Sequence, residues 1–248
     1  MASADTRSAA AAAGPDKSPR KIAGMFDAIA RRYDLLNHLL SGGLDLYWRA
    51  RAVRELRFTG REVLLDVCTG TCDVMLTALK RREAGPRYAV GLDFADAMLR
   101  VGQRKVAERG VGAVAPLLRG DAMFLPVATG AADAATIAFG IRNVYDPHAA
   151  LVDLHRALRP GGRLAILEFA MPTAPWLRAL YGWYFRAILP KIGRMLSKHH
   201  DAYTYLPESV GTFYRPDEFG AMLTRAGFSG VRAVPLTFGV VYLYVAQA

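Results

Sequence analysis

Hydrophobic positions recur every three or four residues across 21–57, near the start of the chain. The residues that follow this spacing are Phe26, Ile29, Ala30, Tyr33, Leu36 and Leu40. The spacing predicts an amphipathic helix. Ser41-Gly42-Gly43 interrupts it, and a second helix is predicted from about 45 to 56. We therefore expect 21–57 to form a helical cap.

Short apolar runs then alternate with helical patterns through the middle of the chain. Strands are predicted at 62–67, 87–93, 114–118, 134–139 and 163–169, with helices at 73–83, 95–109 and 147–158. Strands that are apolar on both faces and joined by helices favour a parallel sheet with both faces covered. Arg159-Pro160-Gly161-Gly162 predicts a turn before the fifth strand.

The last part of the chain follows a different pattern. A helix is predicted from Pro216 to about Gly227, followed by two strands at 230–234 and 240–245. The few residues between these strands are too short for a parallel crossover, so the pair is predicted to be an antiparallel hairpin. The expected fold is α/β, a doubly wound, mostly parallel seven-stranded sheet with an antiparallel C-terminal hairpin.

Composition narrows the class of protein. The chain has 248 residues, 52% of them hydrophobic, and 32 Lys and Arg against 22 Asp and Glu, a formal net charge of +10. The hydrophobic content excludes a wholly disordered, collagen-like or disulfide-scaffold chain. The positive net charge favours anionic surroundings, such as nucleic acid, an anionic lipid surface or an acidic ligand. No run is long and apolar enough for a transmembrane helix. Residues 1–20 are expected to be a disordered tail, with an organellar transit segment as the alternative, and 21–248 a single domain.

The two cysteines, Cys68 and Cys72, lie four residues apart in one segment. This spacing is not a disulfide framework, and no second Cys/His pair at metal-ligand spacing accompanies it. We therefore expect a reducing compartment and no metal site.

Polar residues follow the predicted strands at the edge where α/β sheets bind ligands. The first strand leads into Asp66-Val67-Cys68-Thr69-Gly70-Thr71-Cys72-Asp73, which lacks the second glycine of a dinucleotide fingerprint. Asp93 ends the second strand, where a carboxylate can accept two ribose hydroxyls, and Asp121 follows the third. Together they predict an adenosine pocket without a diphosphate cradle, which fits S-adenosylmethionine. The alternatives are a helix cap for Asp93 and a turn for Asp121.

The combined motifs resemble class I S-adenosylmethionine-dependent methyltransferases. The similarity is closest to the family that C-methylates quinone precursors: demethylmenaquinone methyltransferase and its ubiquinone-pathway counterpart. It covers about 21–246, with the matching motifs at 26–37, 65–71, 138–144, 158–164 and 203–210. Phe139-Gly140-Ile141-Arg142-Asn143 and Tyr203-Thr204-Tyr205-Leu206 are specific to the family, whereas Arg159-Pro160-Gly161-Gly162 is general to the fold.

The resemblance implies S-adenosylmethionine as the methyl donor. It places cofactor contacts at Thr69, Asp93, Asp121 and Ala122. Gly70 and Tyr33 are further candidate cofactor-binding residues. Two positions depart from the family pattern: Cys72 stands where glycine is usual, and Ala138 where serine is usual. The Cβ atom of Cys72 is expected close to the methionine end of the cofactor.

Ring C-methylation requires a carbon nucleophile, which a quinol supplies once a hydroxyl proton leaves. A positive group beside the oxygen lowers a phenol's pKa from about 10. We expect Arg142 to polarise the quinol oxygen, directly or through water, with Asn143 fixing orientation; a structural ion pair is the alternative for Arg142. Asp34, Tyr33 and Tyr203 are candidate proton acceptors, and a solvated surface position is favoured for His148.

An isoprenoid quinol needs an apolar pocket with access from a membrane. A stripe on a helix predicted at 176–189, within a substrate-covering helical insertion at 171–212, fits either the protein's own core, a lid or a membrane face. Its members are Trp176, Leu177, Leu180, Tyr181, Tyr184, Phe185, Ile188 and Leu189. The expected location is cytoplasmic, with peripheral contact to anionic membrane on its inner face.

Different functions are also compatible with parts of the sequence. A nucleic-acid methyltransferase suits the net charge, but both cysteines lie in the cofactor loop and no Asn/Asp-Pro-Pro-aromatic motif occurs, so no nucleic acid is expected. The sequence leaves open a methyltransferase for the benzoquinol precursor of ubiquinone or for another small molecule, and a non-catalytic adenosyl-binding module. It also leaves open a homo-oligomer.

Overall fold

The computed structural model describes residues 17–80, 84–172, 174–183 and 201–248. Within these ranges seven strands form one sheet in the order β3-β2-β1-β4-β5-β7-β6. Strands β1 to β5 are parallel to one another, and β7 is antiparallel to both β5 and β6. The strands are β1 (Val63–Val67), β2 (Tyr88–Asp93), β3 (Leu117–Arg119), β4 (Ala132–Ala138), β5 (Leu158–Phe169), β6 (Ser229–Leu236) and β7 (Val241–Gln247). The predicted fold class is confirmed.

The helices cover both faces of this sheet. They are α1 (Pro19–Ile29), α2 (Tyr33–Ser41), α3 (Leu44–Glu55), α4 (Asp73–Leu79), α5 (Asp96–Glu108), α6 (Pro147–Ala157), α7 (Pro175–Trp183), α8 (Asp201–Gly211) and α9 (Pro216–Arg225). Successive strand residues point to opposite faces. Leu65 accordingly packs into the core beneath α6 and α9, and Leu64 into the core beneath α3 and α4. This burial on both faces explains the wholly apolar strands.

Three differences from the sequence prediction concern the tail, the third strand and the turn before the fifth strand. Helix α1 begins at Pro19, so the tail predicted over 1–20 extends too far; residues 1–16 lie outside the described part. The third strand is shifted to Leu117–Arg119. Residues 159–162 lie inside β5, because the pairs Ala132–Leu158 and Ala134–Arg163 leave extra residues that bulge out between them. Gly161 takes φ +76° there, which suits glycine.

Two helical segments lie over the carboxyl edge of the sheet. Helix α1 contacts both α5 and α8, and α8 also contacts the 3₁₀ turn Ile141–Asn143 that follows β4. In α7, Leu177 is buried while Trp176 and Trp183 are exposed. The other predicted stripe residues lie outside the residues whose side chains are described. None of the helices within the described ranges is long and apolar enough to cross a membrane.

Candidate active site

The turn after β1 is held by the buried carboxylate of Asp66. Its Oδ2 accepts a hydrogen bond of 2.6 Å from the Thr69 hydroxyl, and its Oδ1 accepts one of 2.6 Å from the Thr136 hydroxyl on β4. Burial raises the pKa of the Asp66 carboxyl to about 6. Thr69 therefore stabilises the turn through its hydrogen bond to Asp66. It is not among the residues that line the cavity described next.

A cavity of about 730 Å³, including the solvent at its mouth, opens at the carboxyl ends of β1, β2 and β4. The lining residues are Lys17, Phe26, Tyr33, Cys68, Gly70, Asp93, Phe94, Met98, Asp121, Ala122, Met123, Ala138, Phe139, Gly140, Asn143, Val144 and Tyr145. Five of the six residues predicted for cofactor binding are among them: Tyr33, Gly70, Asp93, Asp121 and Ala122.

Asp93 ties the first two strand ends together. Its Oδ2 accepts a hydrogen bond of 2.8 Å from the Gly70 backbone N–H, and its Oδ1 accepts one of 2.9 Å from the Ala95 N–H. Burial raises the pKa of this carboxyl above its ordinary value. Each carboxylate oxygen has a further acceptor site, so the carboxylate can still accept two hydroxyls from a ligand. Asp121 accepts a 2.9 Å bond from the Met123 N–H, so it both forms a turn and lines the cavity.

The two cysteines occupy different surroundings. Both have left-handed backbone, with φ +54° at Cys68 and +70° at Cys72. Cys68 lines the cavity, and a Cβ atom placed on Gly140 would lie 2.4 Å from its own Cβ, so position 140 requires glycine. The Sγ of Cys72 instead lies 2.3 Å from the place of a Cβ on Gly102 in α5. Cys72 is thus turned away from the cavity, which corrects the expected approach of its Cβ to the cofactor.

Arg142, predicted to polarise the substrate, is instead engaged by the protein. Its Nη1 lies 2.7 Å from Oε1 of Glu168 on β5 and donates a 2.6 Å hydrogen bond to the Phe139 carbonyl. The guanidinium also lies over the Phe169 ring, 5.4 Å from its centroid. Glu168 is fully buried and Arg142 is 6% exposed. This geometry is the structural ion pair that the sequence left as the alternative for Arg142.

Asn143, one of the predicted catalytic residues, lines the cavity. Its side-chain oxygen accepts a 3.0 Å hydrogen bond from the hydroxyl of Tyr205 on α8. Tyr205 is buried, and it couples the helical insertion to the turn after β4. Tyr203 also belongs to α8, but its side chain lies outside the described residues.

Asp34 does not line the cavity. Its carboxylate accepts a 2.5 Å hydrogen bond from the Thr71 hydroxyl and a 2.9 Å bond from the Lys105 ammonium. Lys105 and Arg49 both pair with Asp73 at the start of α4. The helical cap is therefore fastened to the turn after β1 through Asp34, and both carboxylate oxygens of this residue already have donors.

Tyr33 lies in the cavity wall, 6.0 Å from Phe26 between ring centroids. Burial raises the pKa of its phenol, and burial likewise raises the pKa of the Cys68 thiol well above its ordinary value. Both groups therefore hold their protons at neutral pH. Tyr33 is a wall of the site and a poor proton acceptor.

Comparison with known proteins matches residues 15–247 to the ubiE/COQ5 methyltransferase family. The chain belongs to this family. A demethylmenaquinone methyltransferase of Thermus thermophilus is 48% identical over 89% of this chain and 98% of its own length. A ubiquinone/menaquinone biosynthesis C-methyltransferase of Syntrophotalea carbinolica is also 48% identical, over 89% of this chain and 91% of its own. The predicted resemblance is confirmed.

Solved structures give the same fold at low sequence identity. A SAM-dependent methyltransferase of Aquifex aeolicus has a TM-score of 0.57 at 19% identity, covering 93% of this chain and 97% of its own. As predicted, the chain is a methyltransferase that uses S-adenosylmethionine as methyl donor. The cavity fits S-adenosylmethionine. Asp93 can accept hydrogen bonds from ribose hydroxyls, and Gly70 has no side chain that would keep a ligand from its backbone. Phe94 and Met98 form apolar walls.

Sequence reasoning missed several residues of the methyltransferase site. Lys17 lines the cavity although it lies in the predicted tail, and Glu168 was hidden as one carboxylate within the apolar run of β5. Tyr205 stands inside a family-specific motif, but its contact with Asn143 depends on how α8 packs. For Glu168, the detectable signal was its place at the carboxyl end of a buried strand.

Proposed function

We propose that this methyltransferase transfers a methyl group to a ring carbon of an isoprenoid quinol, with demethylmenaquinol as its preferred substrate. The observation that carries the proposal is the position of Asn143, facing a largely apolar cavity between the adenosine-type residues and α8. The Thermus thermophilus relative, named for demethylmenaquinone, supports the naphthoquinol. The Syntrophotalea carbinolica relative, named for both quinones, supports the benzoquinol precursor of ubiquinone as a second candidate.

Bound S-adenosylmethionine supplies an electrophilic methyl group on a sulfonium. The protein's own part is to orient and to exclude water. Asp93 and Asp121 would hold the adenosine portion by accepting hydrogen bonds from it, and Tyr33 is part of the cavity wall. The Asn143 amide, held by Tyr205, orients the quinol head. Fixing reacting atoms about 3–3.5 Å apart accounts for much of the rate enhancement of such enzymes.

Arg142 and Asp34 act in this scheme as positioning residues. Arg142 fixes the turn that carries Asn143 through the Phe139 carbonyl and Glu168. Asp34 fixes the turn after β1 through Thr71. Both roles differ from the predicted contacts with substrate. In both cases a charged side chain that does not line the cavity holds a turn whose residues do.

Peripheral membrane contact supports access to a lipid substrate. Trp176 and Trp183 lie seven residues apart on α7, hence on one face, and they are 65% and 54% exposed. Tryptophan is favoured at membrane–water interfaces. Together with the net charge of +10, this face suits an anionic bilayer.

The test is methyl transfer from labelled S-adenosylmethionine to chemically reduced demethylmenaquinol and to the benzoquinol precursor, read by mass spectrometry. We expect a higher kcat/KM for demethylmenaquinol. Preference for the benzoquinol would establish the second candidate, and transfer to neither would refute the proposal.

Vesicle sedimentation at rising salt tests the membrane contact, because screening weakens attraction to anionic lipid. Equal binding to neutral vesicles at every salt concentration would refute the anionic contribution.

A further inference from the structure

Lys17 lies immediately before α1 and lines the cavity together with Phe139, Gly140 and Asn143. These last three residues belong to the segment that follows β4, at the end of the cavity next to α8. The segment preceding α1 therefore delivers a cation to the part of the cavity assigned above to the methyl acceptor. Two acidic residues of the described lining lie elsewhere: Asp93 is the last residue of β2, and Asp121 follows β3.

The charges around Lys17 do not cancel. Its ammonium interacts electrostatically with Glu168 and Arg142. Glu168 is already compensated, because its carboxylate accepts hydrogen bonds from Arg142 and from the Phe169 N–H. Among the described residues of this group, the cations Lys17 and Arg142 and the carboxylate Glu168 leave one positive charge in excess, while the carboxylates Asp93 and Asp121 line the part of the cavity at β2 and β3. Within the described part of the chain, no hydrogen bond or ion pair occupies the Lys17 ammonium.

Burial lowers the pKa of Lys17 below its ordinary value, in surroundings that include Phe26, Met98 and Val144. A partly dehydrated ammonium gains from an anion that approaches it, since Coulomb attraction is stronger in a low-dielectric site than in water. The surplus charge at this end of the cavity therefore matches a single oxyanion.

We propose that the Lys17 ammonium binds the phenolic oxygen of the methyl acceptor and stabilises its deprotonated form. The phenolic proton leaves to bulk water, and the O⁻ that remains is paired with the ammonium. This role rests on the proposed function, because it assumes an acceptor with a ring hydroxyl. Lys17 is then a catalytic residue contributed by the segment before α1, which distinguishes it from the positioning residue Arg142.

The test compares Lys17→Met and Lys17→Arg with Lys21→Met as matched control, since Lys21 lies exposed on α1 and does not line the cavity. The first readout is independent of turnover: the absorbance of 1-naphthol, bound in the presence of S-adenosylhomocysteine, is titrated against pH. In the wild type and in Lys21→Met, we expect the apparent pKa of bound naphthol to fall by at least one unit from its value in water. Lys17→Met should abolish this shift, and Lys17→Arg should keep most of it.

The second readout is single-turnover methyl transfer at pH 7 and pH 9. Lys17→Met should lose at least tenfold at pH 7 and regain part of the rate at pH 9, where free phenol ionises more readily, with unchanged affinity for S-adenosylhomocysteine. An unaltered naphthol titration in Lys17→Met, equal loss of the shift in Lys17→Arg, or a matching loss of cofactor affinity would overturn the assignment. Failure of the wild type to methylate any quinol would refute the proposed function alone, because the naphthol titration would still report on Lys17.

Discussion

Arg142 and Glu168 form a buried ion pair in which Nη1 lies 2.7 Å from Oε1, joining the end of β4 to the end of β5. Removing one partner of such a pair leaves an uncompensated charge in the protein interior. We expect Arg142→Ala to lower the free energy of unfolding by about 3–5 kcal/mol. Urea denaturation at pH 7 measures the effect.

The paired variant Arg142→Met/Glu168→Gln provides the control for this prediction. It removes both charges, so it should be more stable than Arg142→Ala, giving a non-additive double-mutant cycle. Additive losses would mean that the two side chains do not depend on each other, in contradiction to the geometry.

The hydroxyl groups of Tyr205 and Tyr203, both on α8, can be tested separately. Tyr205→Phe removes the hydrogen bond to Asn143 and should reduce kcat three- to tenfold, corresponding to about 0.5–1.5 kcal/mol. Tyr203→Phe tests the hydroxyl proposed from sequence as a proton acceptor. Steady-state kinetics of the two variants at equal cofactor saturation decides between them. A larger loss in Tyr203→Phe would return the catalytic role to that residue.

Cys72 and Gly102 should show steric coupling. Gly102→Ala places a Cβ 2.3 Å from the Cys72 Sγ and should be destabilising, because a real structure does not accommodate that contact. Cys72→Gly removes both this contact and a side chain from left-handed backbone, so the double variant should recover stability. Thermal unfolding of the four proteins provides the cycle.

Cofactor affinity supplies the control for Cys72. Because its side chain points away from the cavity, Cys72→Gly should leave the Kd for S-adenosylhomocysteine unchanged in calorimetry. A large rise in Kd for a stably folded Cys72→Gly protein would contradict this orientation.

Asp93 should contribute directly to cofactor binding. Asp93→Asn replaces an acceptor-only carboxylate with an amide and should weaken S-adenosylmethionine binding by about 1.5–3 kcal/mol, roughly 10- to 150-fold. Asp96→Asn is the matched control, since the side chain of this residue of α5 is 46% exposed, pairs with Arg100 and does not line the cavity. Equal affinities for the two variants would remove Asp93 from the binding site.

The raised pKa of Asp66 predicts that this residue's contribution to the free energy of unfolding falls as pH rises. Carboxylates with a lowered pKa behave in the opposite way. Its pKa is about 6 in the folded protein, against an ordinary value of 3.8. Between these values the folded state holds a proton that the unfolded state has lost. This group's contribution to stability is therefore full below the lower value and is lost as pH rises to about 6, at about 1.4 kcal/mol per pH unit. Over the whole window the loss amounts to about 3 kcal/mol.

Urea unfolding of wild type and Asp66→Asn at pH 4.5 and 6.5 measures this contribution. The variant should gain stability relative to wild type at the higher pH. Glu62→Gln is the comparison: burial opposes ionisation of Glu62, but hydrogen bonds from Thr59 and from backbone amides together hold its pKa at about 2. The contribution of Glu62 to stability is therefore full above its ordinary pKa of 4.5 and is lost only as pH falls towards 2, so Glu62→Gln should show the same change between pH 4.5 and 6.5 as wild type. The same pH slope in wild type and Asp66→Asn would show that Asp66 does not titrate as described.

The sequence predicted those parts of the site that depend on a strand end. Gly70, Asp93 and Asp121 follow apolar runs, and the carboxyl ends of parallel strands meet at one edge. The sequence singled out Arg142 but not its ion-pair partner, because Glu168 lies on the neighbouring strand inside an apolar run. Lys17 and Tyr205 could not be placed, since the position of Lys17 in the cavity wall and the contact of Tyr205 with Asn143 both depend on how a helical segment packs, which leaves no periodic signal in the sequence.

The close approach of Cys68 and Gly140 has a mechanical consequence. The backbones at the ends of β1 and β4 lie so near that position 140 has no space for even a methyl group. The two strand ends are also bridged by Asp66 between Thr69 and Thr136. The base of the cavity is thus constrained at both strand ends, and any opening needed to exchange a bulky lipid for its product falls to the helices over the carboxyl edge of the sheet, α1 and α8.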